Sequence, residues 1–298
     1  MTRSIVLATL VAFGGLTVGI AQEFRPVRPP LPDAVKIKDN LYVIGASTPG
    51  NDFTGGNTVI LVTDSGVVLV DTKLSGYGAV ILQKVKKVTD KPVTTIINTH
   101  THGDHVGSNE GFPGSVDIVA QENTKANMAK MTAFQGANAS FLPKRTFKDK
   151  LTIGSGNNRV DLYYFGPGHT NGDAFVVFPS VRVLQTGDMF AWRDAPVIDR
   201  TQGASGVEFP KTLAKALAAI KDVDVVIPGH SPATTLKDLA QYQKFTADFV
   251  SAVESAIKAG KSAEEAAKTI DLTAQYPGYT KERYAPAIAA LYEELKKS

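Results

Sequence analysis

The apolar positions of the chain fall into short runs of strand length, separated by polar turns and by stretches with the spacing of one helix face. Residues 41–44, 57–62 and 66–71 read as strands, the last two joined through Thr63-Asp64-Ser65 as a hairpin. Val80, Ile81, Val85 and Val88 then recur on one face of a helix over residues 76–88. A strand at 93–98 follows, apolar or β-branched at five of its six positions. A strand at 117–120 and a helix near 122–131 lead into a second series of the same kind: strands at 160–165, 174–178 and 181–185, a helix at 210–219 and a strand at 223–227. The two series share an order of elements and no residue identity, so the repeat is one of architecture. The tail reads as helices at 235–258, at 262–270 behind the capping pattern Ser262-Ala263-Glu264-Glu265, and at 281–297. Alternating strands and helices of this kind predict an α/β protein with helices covering sheets.

Composition narrows the class. With 298 residues and 43% apolar content the chain can bury a substantial core. The 32 basic against 29 acidic side chains leave a formal charge of +3, too slight for a nucleic-acid partner, which calls for a clustered basic excess. No cysteine is present, which excludes disulfides, thiolate metal ligands and a cysteine nucleophile. Residues 1–21 have the form of a signal peptide: Arg3, an apolar stretch from Ile5 to Leu16, and the small-x-small site Gly19-Ile20-Ala21. The expected location is therefore periplasmic or secreted, with no stable membrane association once the signal is removed. A proline-rich lead-in at 22–32 precedes a domain expected over 33–298, with the tail helices as a C-terminal extension.

The candidate chemistry is concentrated in NTHTHGDHVGSN, residues 98–109, which hold His100, His102, Asp104 and His105. The segment follows a buried strand, and Gly103 marks a turn. His100 and His102, two apart on extended backbone, point the same way and suit adjacent vertices of one metal, while Asp104 and His105 beyond the glycine are placed for a second centre. The remaining histidines are His169 in GPGHTNGD and His230 in IPGHSP, each after a glycine turn that follows a strand. Five of five histidines at such positions point to metal binding.

The set HxHxDH, GHT, TGD and PGH at these successive intervals resembles the motifs of the metallo-β-lactamase superfamily, over about residues 40–235. The resemblance implies an αββα sandwich with a dinuclear metal site at the sheet edge. It implies His100, His102 and His169 as ligands of one metal, Asp104, His105 and His230 as ligands of the other, and Asp188 in QTGDMF as the carboxylate that bridges them. Zinc β-lactamases of the best-known subclass carry cysteine at that last position. Aspartate there is similar to hydroxyacylglutathione hydrolases and lactonases. The implied cofactor is Zn2+, two ions per chain, and the carboxylate share leaves room for iron or manganese. A shared hydroxide would attack a carbonyl of a small-molecule lactam, lactone, ester or thioester, with Asp104 as the catalytic carboxylate that orients it and relays its proton. The alternative within the superfamily is a mononuclear iron sulfur dioxygenase.

Around this set, residues 49–56 resemble the flap that covers the groove in the family, or form a plain glycine-rich connection. Phe190, Trp192 and Asp199 are candidates to line a pocket, Thr101 and Asn171 to hydrogen-bond the ligands, and residues 128–141 to form one wall. Ordinary packing is the competing reading for each.

Overall fold

The computed structural model describes residues 28–47 and 52–296. The expected signal peptide lies outside them, as do residues 22–27 of the lead-in, residue 48 and residues 49–51 of the expected flap. Two sheets are formed. The first holds seven strands in chain order: β1 (Val35–Lys38), β2 (Leu41–Ile44), β3 (Thr58–Val62), β4 (Val67–Val70), β5 (Val93–Ile97), β6 (Asp117–Gln121) and β7 (Arg145–Phe147). Pairing is antiparallel from β1 to β4 and parallel from β4 to β7. The second holds five: β8 (Lys150–Ile153), β9 (Val160–Tyr163), β10 (Phe175–Phe178) and β11 (Val183–Gly187) run antiparallel, and β12 (Val225–Pro228) lies parallel to β11.

Both faces of the first sheet's central strands are buried, which is why they read as continuous apolar runs rather than alternations. Val59, Leu61, Val68, Val70 and Ile97 pack against Leu162, Val176, Phe178 and Val183 of the second sheet. Their neighbours Ile60, Leu69 and Ile96 face the other way, against Ile81 and Val85 of α1 (Gly78–Lys86). The second sheet's outer residues, Phe175, Val177, Leu184 and Val226, are covered by α4 (Phe209–Ala219), α5 (Leu236–Lys258) and α7 (Tyr284–Leu295). The layers are helix, sheet, sheet, helix, as expected. Two short helices, α2 (Gly103–Val106) and α3 (Glu122–Met128), follow β5 and β6, and α6 (Ala263–Thr269) starts behind the capping box of Ser262 and Glu265.

The architectural repeat is present: β3, β4, α1 and β5 correspond to β10, β11, α4 and β12, each a hairpin, a helix and a parallel strand. It brings β4, β5, β11 and β12 to end close together. Three strands were not foreseen. VKIK of β1, RTF of β7 and KLTI of β8 lie at sheet edges, carry charged residues and are only partly buried. Such edge strands show little apolar signal because one side needs no burial.

The tail helices belong to the same core as the second sheet. Phe245 on α5 is fully buried, with its ring centroid 4.6 Å from Tyr279 and 5.2 Å from Tyr276. Phe245→Ala is expected to destabilise the protein by about 3–5 kcal/mol, read as a shift of the urea midpoint at constant slope. A loss below about 1 kcal/mol would show that the tail does not share this core.

Candidate metal centre

The five histidines meet where the parallel strand pairs end. After β5 the chain bends at Thr99, His100 and Thr101, is extended at His102 (φ −65°, ψ 144°) and then enters α2, so His100 projects from the bend, His102 from the extended residue before the helix, and Asp104 and His105 from a helical turn. Gly103 marks that change, yet its backbone is ordinary and a Cβ there would meet nothing within 4 Å, so the turn does not depend on its being glycine. Gly56 and Gly229 do depend on it. A Cβ on Gly56 would run into the His105 ring, and one on Gly229 into the Asp188 carboxylate.

All seven expected side chains come together. Three groups lie within metal-binding reach: His100, His102 and His169; His100, His105 and Asp188; Asp104, His105 and His230. His102 Nδ1 is 2.8 Å from His169 Nε2, and His105 Nε2 is 3.1 Å from His230 Nε2. Asp188 Oδ2 stands 3.7 Å from His169 Nε2 and 3.3 Å from His230 Nε2, between the two clusters. Asp104 Oδ2 is 3.2 Å from His230 Nε2. His100 Nε2 is buried without a hydrogen-bond partner among the described residues, and Asp188 Oδ1 approaches His105 Nε2 at 3.3 Å without hydrogen-bond geometry. A buried, unsatisfied imidazole nitrogen among carboxylates and four further imidazoles is the donor set a borderline cation requires.

The outward ring nitrogens are held by groups whose part in the site the spacing of the histidines does not reveal. Asp71, at the end of β4 with φ 63°, takes His105 Nδ1 on Oδ2 at 2.8 Å and the Thr99 amide on Oδ1 at 2.8 Å. Thr99 Oγ1 is 3.0 Å from His100 Nδ1 and donates to Asp71 Oδ2. His169 Nδ1 donates to the Val197 carbonyl at 2.8 Å. Asp199, expected to line a pocket, instead sits 2.8 Å from His102 Nε2. Contacts of this kind fix ring orientation and the free lone pair. Only Asp71 left a sequence signal, as an acidic residue closing an apolar strand. Thr101 contacts Met131 and Asn171 ties α3 to a loop, so neither partners a histidine. Met128 and Phe134 pack on Val106, which makes the expected wall a support beneath α2.

Electrostatics in the site follow from burial and crowding. Burial, aided by His105, holds His100 well below the ordinary imidazole range, and burial lowers His169 as well. His105 and His230 behave oppositely: burial opposes their protonation, but Asp188 above all, with Asp104, outweighs it and raises both. Burial alone would raise Asp188, yet His230 and His105 hold it well below the usual carboxylate range. Lys73, fully buried with φ 64°, donates to the carbonyls of Ile44, Gly45 and Gly56 at 3.2, 3.0 and 2.5 Å and so ties both ends of the loop over residues 45–56. Burial pushes its ammonium down to about 7.

Two walls flank His230. Phe53 stacks on its ring at 5.7 Å and Trp192 at 4.6 Å, whereas Phe190 turns inward onto Tyr242 and belongs to the core. A cavity of 420 Å³ runs from His230 between Pro232 and Val35, the latter exposed at its rim.

Residues 51–230 match the sequence model of the metallo-beta-lactamase superfamily. The metallo-beta-lactamase type 2 of Elizabethkingia meningoseptica is 30% identical over 207 residues, which cover 65% of this chain and 77% of that protein. That of Bacillus sp. (strain 170) is 25% identical over 191 residues, 63% and 69% of the two chains. The solved metallo-beta-lactamase from Pontibacter korlensis superposes with a TM-score of 0.63 over 73% of this chain and 99% of its own at 22% identity, a likeness of fold. A family match over more than half the chain, on a helix-sheet-sheet-helix fold with its histidines and aspartates gathered at the strand ends, places this protein in the metallo-β-lactamase superfamily as a metal-dependent hydrolase.

Proposed function

We propose that the chain hydrolyses a lactam, lactone, ester or thioester with two zinc ions. His100, His102 and His169 would hold one ion, Asp104, His105 and His230 the other, and Asp188 both. The observation that carries this reading is the reach of the Asp188 carboxylate, whose Oδ2 lies within 3.7 Å of a nitrogen in each cluster. Imidazole and carboxylate donors without thiolate suit zinc in a hydrolytic site. When bound, such a pair supplies a hydroxide at neutral pH and polarises the carbonyl. The apolar N-terminal segment supports export of the enzyme to the periplasm or medium.

Within the protein, Asp104 is the more open of the two site carboxylates, with 19% of its side chain exposed against 6% for Asp188. It faces the position where a nucleophile's proton must be held and then passed to the leaving group. The cavity beside His230 selects the substrate's substituent. Most polar groups in its wall are engaged within the protein: Asn57 accepts from the Ala46 amide and donates to the carbonyls of Pro228 and Ser231, the Ser231 hydroxyl donates to the Ala191 carbonyl, and the Gly45 carbonyl is taken by Lys73. Val35, Ile37, Val43, Ile227 and Pro232 supply apolar surface around them, so the group seated there is apolar.

Three outcomes are expected. A panel of a chromogenic cephalosporin, a homoserine lactone and acyl thioesters should show turnover that EDTA abolishes, with kcat/KM rising about fourfold per added CH2 until the cavity is full. No turnover of any member would contradict the acyl-hydrolase reading, and one bound iron with thiol oxidation would replace it with the dioxygenase. Asp104→Asn should lower kcat by about 10²–10⁴, and an unchanged rate would remove Asp104 from the proton path. Because His105 and His230 hold protons more tightly than free imidazole, zinc must displace them. Affinity should therefore fall as pH drops through neutrality, with net proton release in calorimetry across buffers of different ionisation enthalpy. Binding without proton exchange would contradict this.

A further inference from the structure

His230 differs from the other four histidines. Their outward nitrogens are held by Thr99, Asp199, Asp71 and the Val197 carbonyl, whereas His230 Nδ1 is buried and makes no hydrogen bond among the described residues. An imidazole attached only through its side-chain torsions has a broad choice of ring angle. The His230 ring nevertheless lies nearly parallel to two stacked aromatic neighbours, at 17° to Trp192 and 26° to Phe53. Trp192 in turn carries the Arg283 guanidinium 3.9 Å from its ring centroid. We infer that this stack of Phe53, Trp192 and Arg283 takes the place of the absent hydrogen bond, and that these are positioning residues which set His230 for the second metal.

The arrangement ties the C-terminal segment to one half of the site. Asp194, two residues after Trp192, is buried and accepts from Thr280 Oγ1 at 2.6 Å and from the amides of Glu282 and Arg283 at 3.0 and 3.3 Å. The Thr280 amide donates to the Arg193 carbonyl at 2.9 Å. Arg283 is thereby fixed over Trp192, since cation and indole face attract directly and the backbone around them is bolted together. Thr280, Glu282 and Arg283 lie beyond the span of the family match, whereas Trp192 and Asp194 lie within it. The tail therefore acts on the second metal and leaves the first, whose three histidines are held by hydrogen bonds, unaffected.

The inference rests on the two-metal reading, and calorimetric titration of the full chain with Zn2+ separates the two. Wild type should bind two equivalents, and Trp192, the chain's one tryptophan, should change its fluorescence with the second equivalent and not the first. A single equivalent in wild type overturns the two-metal reading and the inference with it, before any variant is compared. Given two, Trp192→Ala should weaken the second step by about 10- to 100-fold and leave the first as it was, Trp192→Phe should restore it, and Arg283→Met should fall between. Unchanged binding in Trp192→Ala, or equal weakening of both steps, overturns the inference. If Trp192→Ala does not fold, Arg283→Met and Phe53→Ala decide: a second step unchanged in both overturns it.

Discussion

A carboxylate buried as deeply as Asp188 persists in its ionised form only where positive charge is supplied beside it. His105 and His230 stand beside it and hold its carboxyl well below the usual range, and Asp188 raises both imidazoles in turn. On the proposed two-metal reading a pair of cations would satisfy the same carboxylate, free both imidazoles and engage His100 Nε2. The rest of the site can be understood as what keeps these groups from relaxing apart. Asp71 and Lys73 accept left-handed backbone directly after β4, Thr99 links Asp71 to His100, and two glycines leave room for a ring and a carboxylate that any Cβ would displace. Strain of this kind is retained where surrounding structure over-determines it.

The sheets make that convergence possible. Each half of the chain repeats a hairpin, a helix and a parallel strand, and each parallel strand delivers a histidine beyond its carboxyl end. Burying both faces of β3, β4, β10 and β11 fixes their register, because a slip by one residue would exchange the faces packed on sheet and on helix. The edge strands β1, β7 and β8 are under no such demand, which explains both their polar composition and their absence from a reading based on apolar runs.

Much of the site was legible because histidine is rare in this chain and its five copies lie in turns that follow strands. Residue type and position sufficed to pick out His100, His102, Asp104, His105, His169 and His230, whereas Asp188 follows from the resemblance of the whole motif set. The groups that orient them were harder to find. Thr99 looks like any β-branched residue closing a strand, Lys73 like a surface lysine, and Asp199 like a loop carboxylate 97 residues from the ring it contacts. Their roles depend on which loops the fold brings together, and local spacing holds no information about that. Trp192 was noticed as a pocket candidate, yet its contact with a histidine on one side and with an arginine of the tail on the other is a product of tertiary packing alone.

The central claim is that two cations share Asp188. Anomalous scattering from crystals grown with Zn2+, collected on both sides of the zinc edge, tests it most directly. The account predicts two peaks about 3.5–4 Å apart, one against His100, His102 and His169 and one against Asp104, His105 and His230, with an Asp188 oxygen on each or between them. A single peak, or a pair from which Asp188 stands apart, would contradict it.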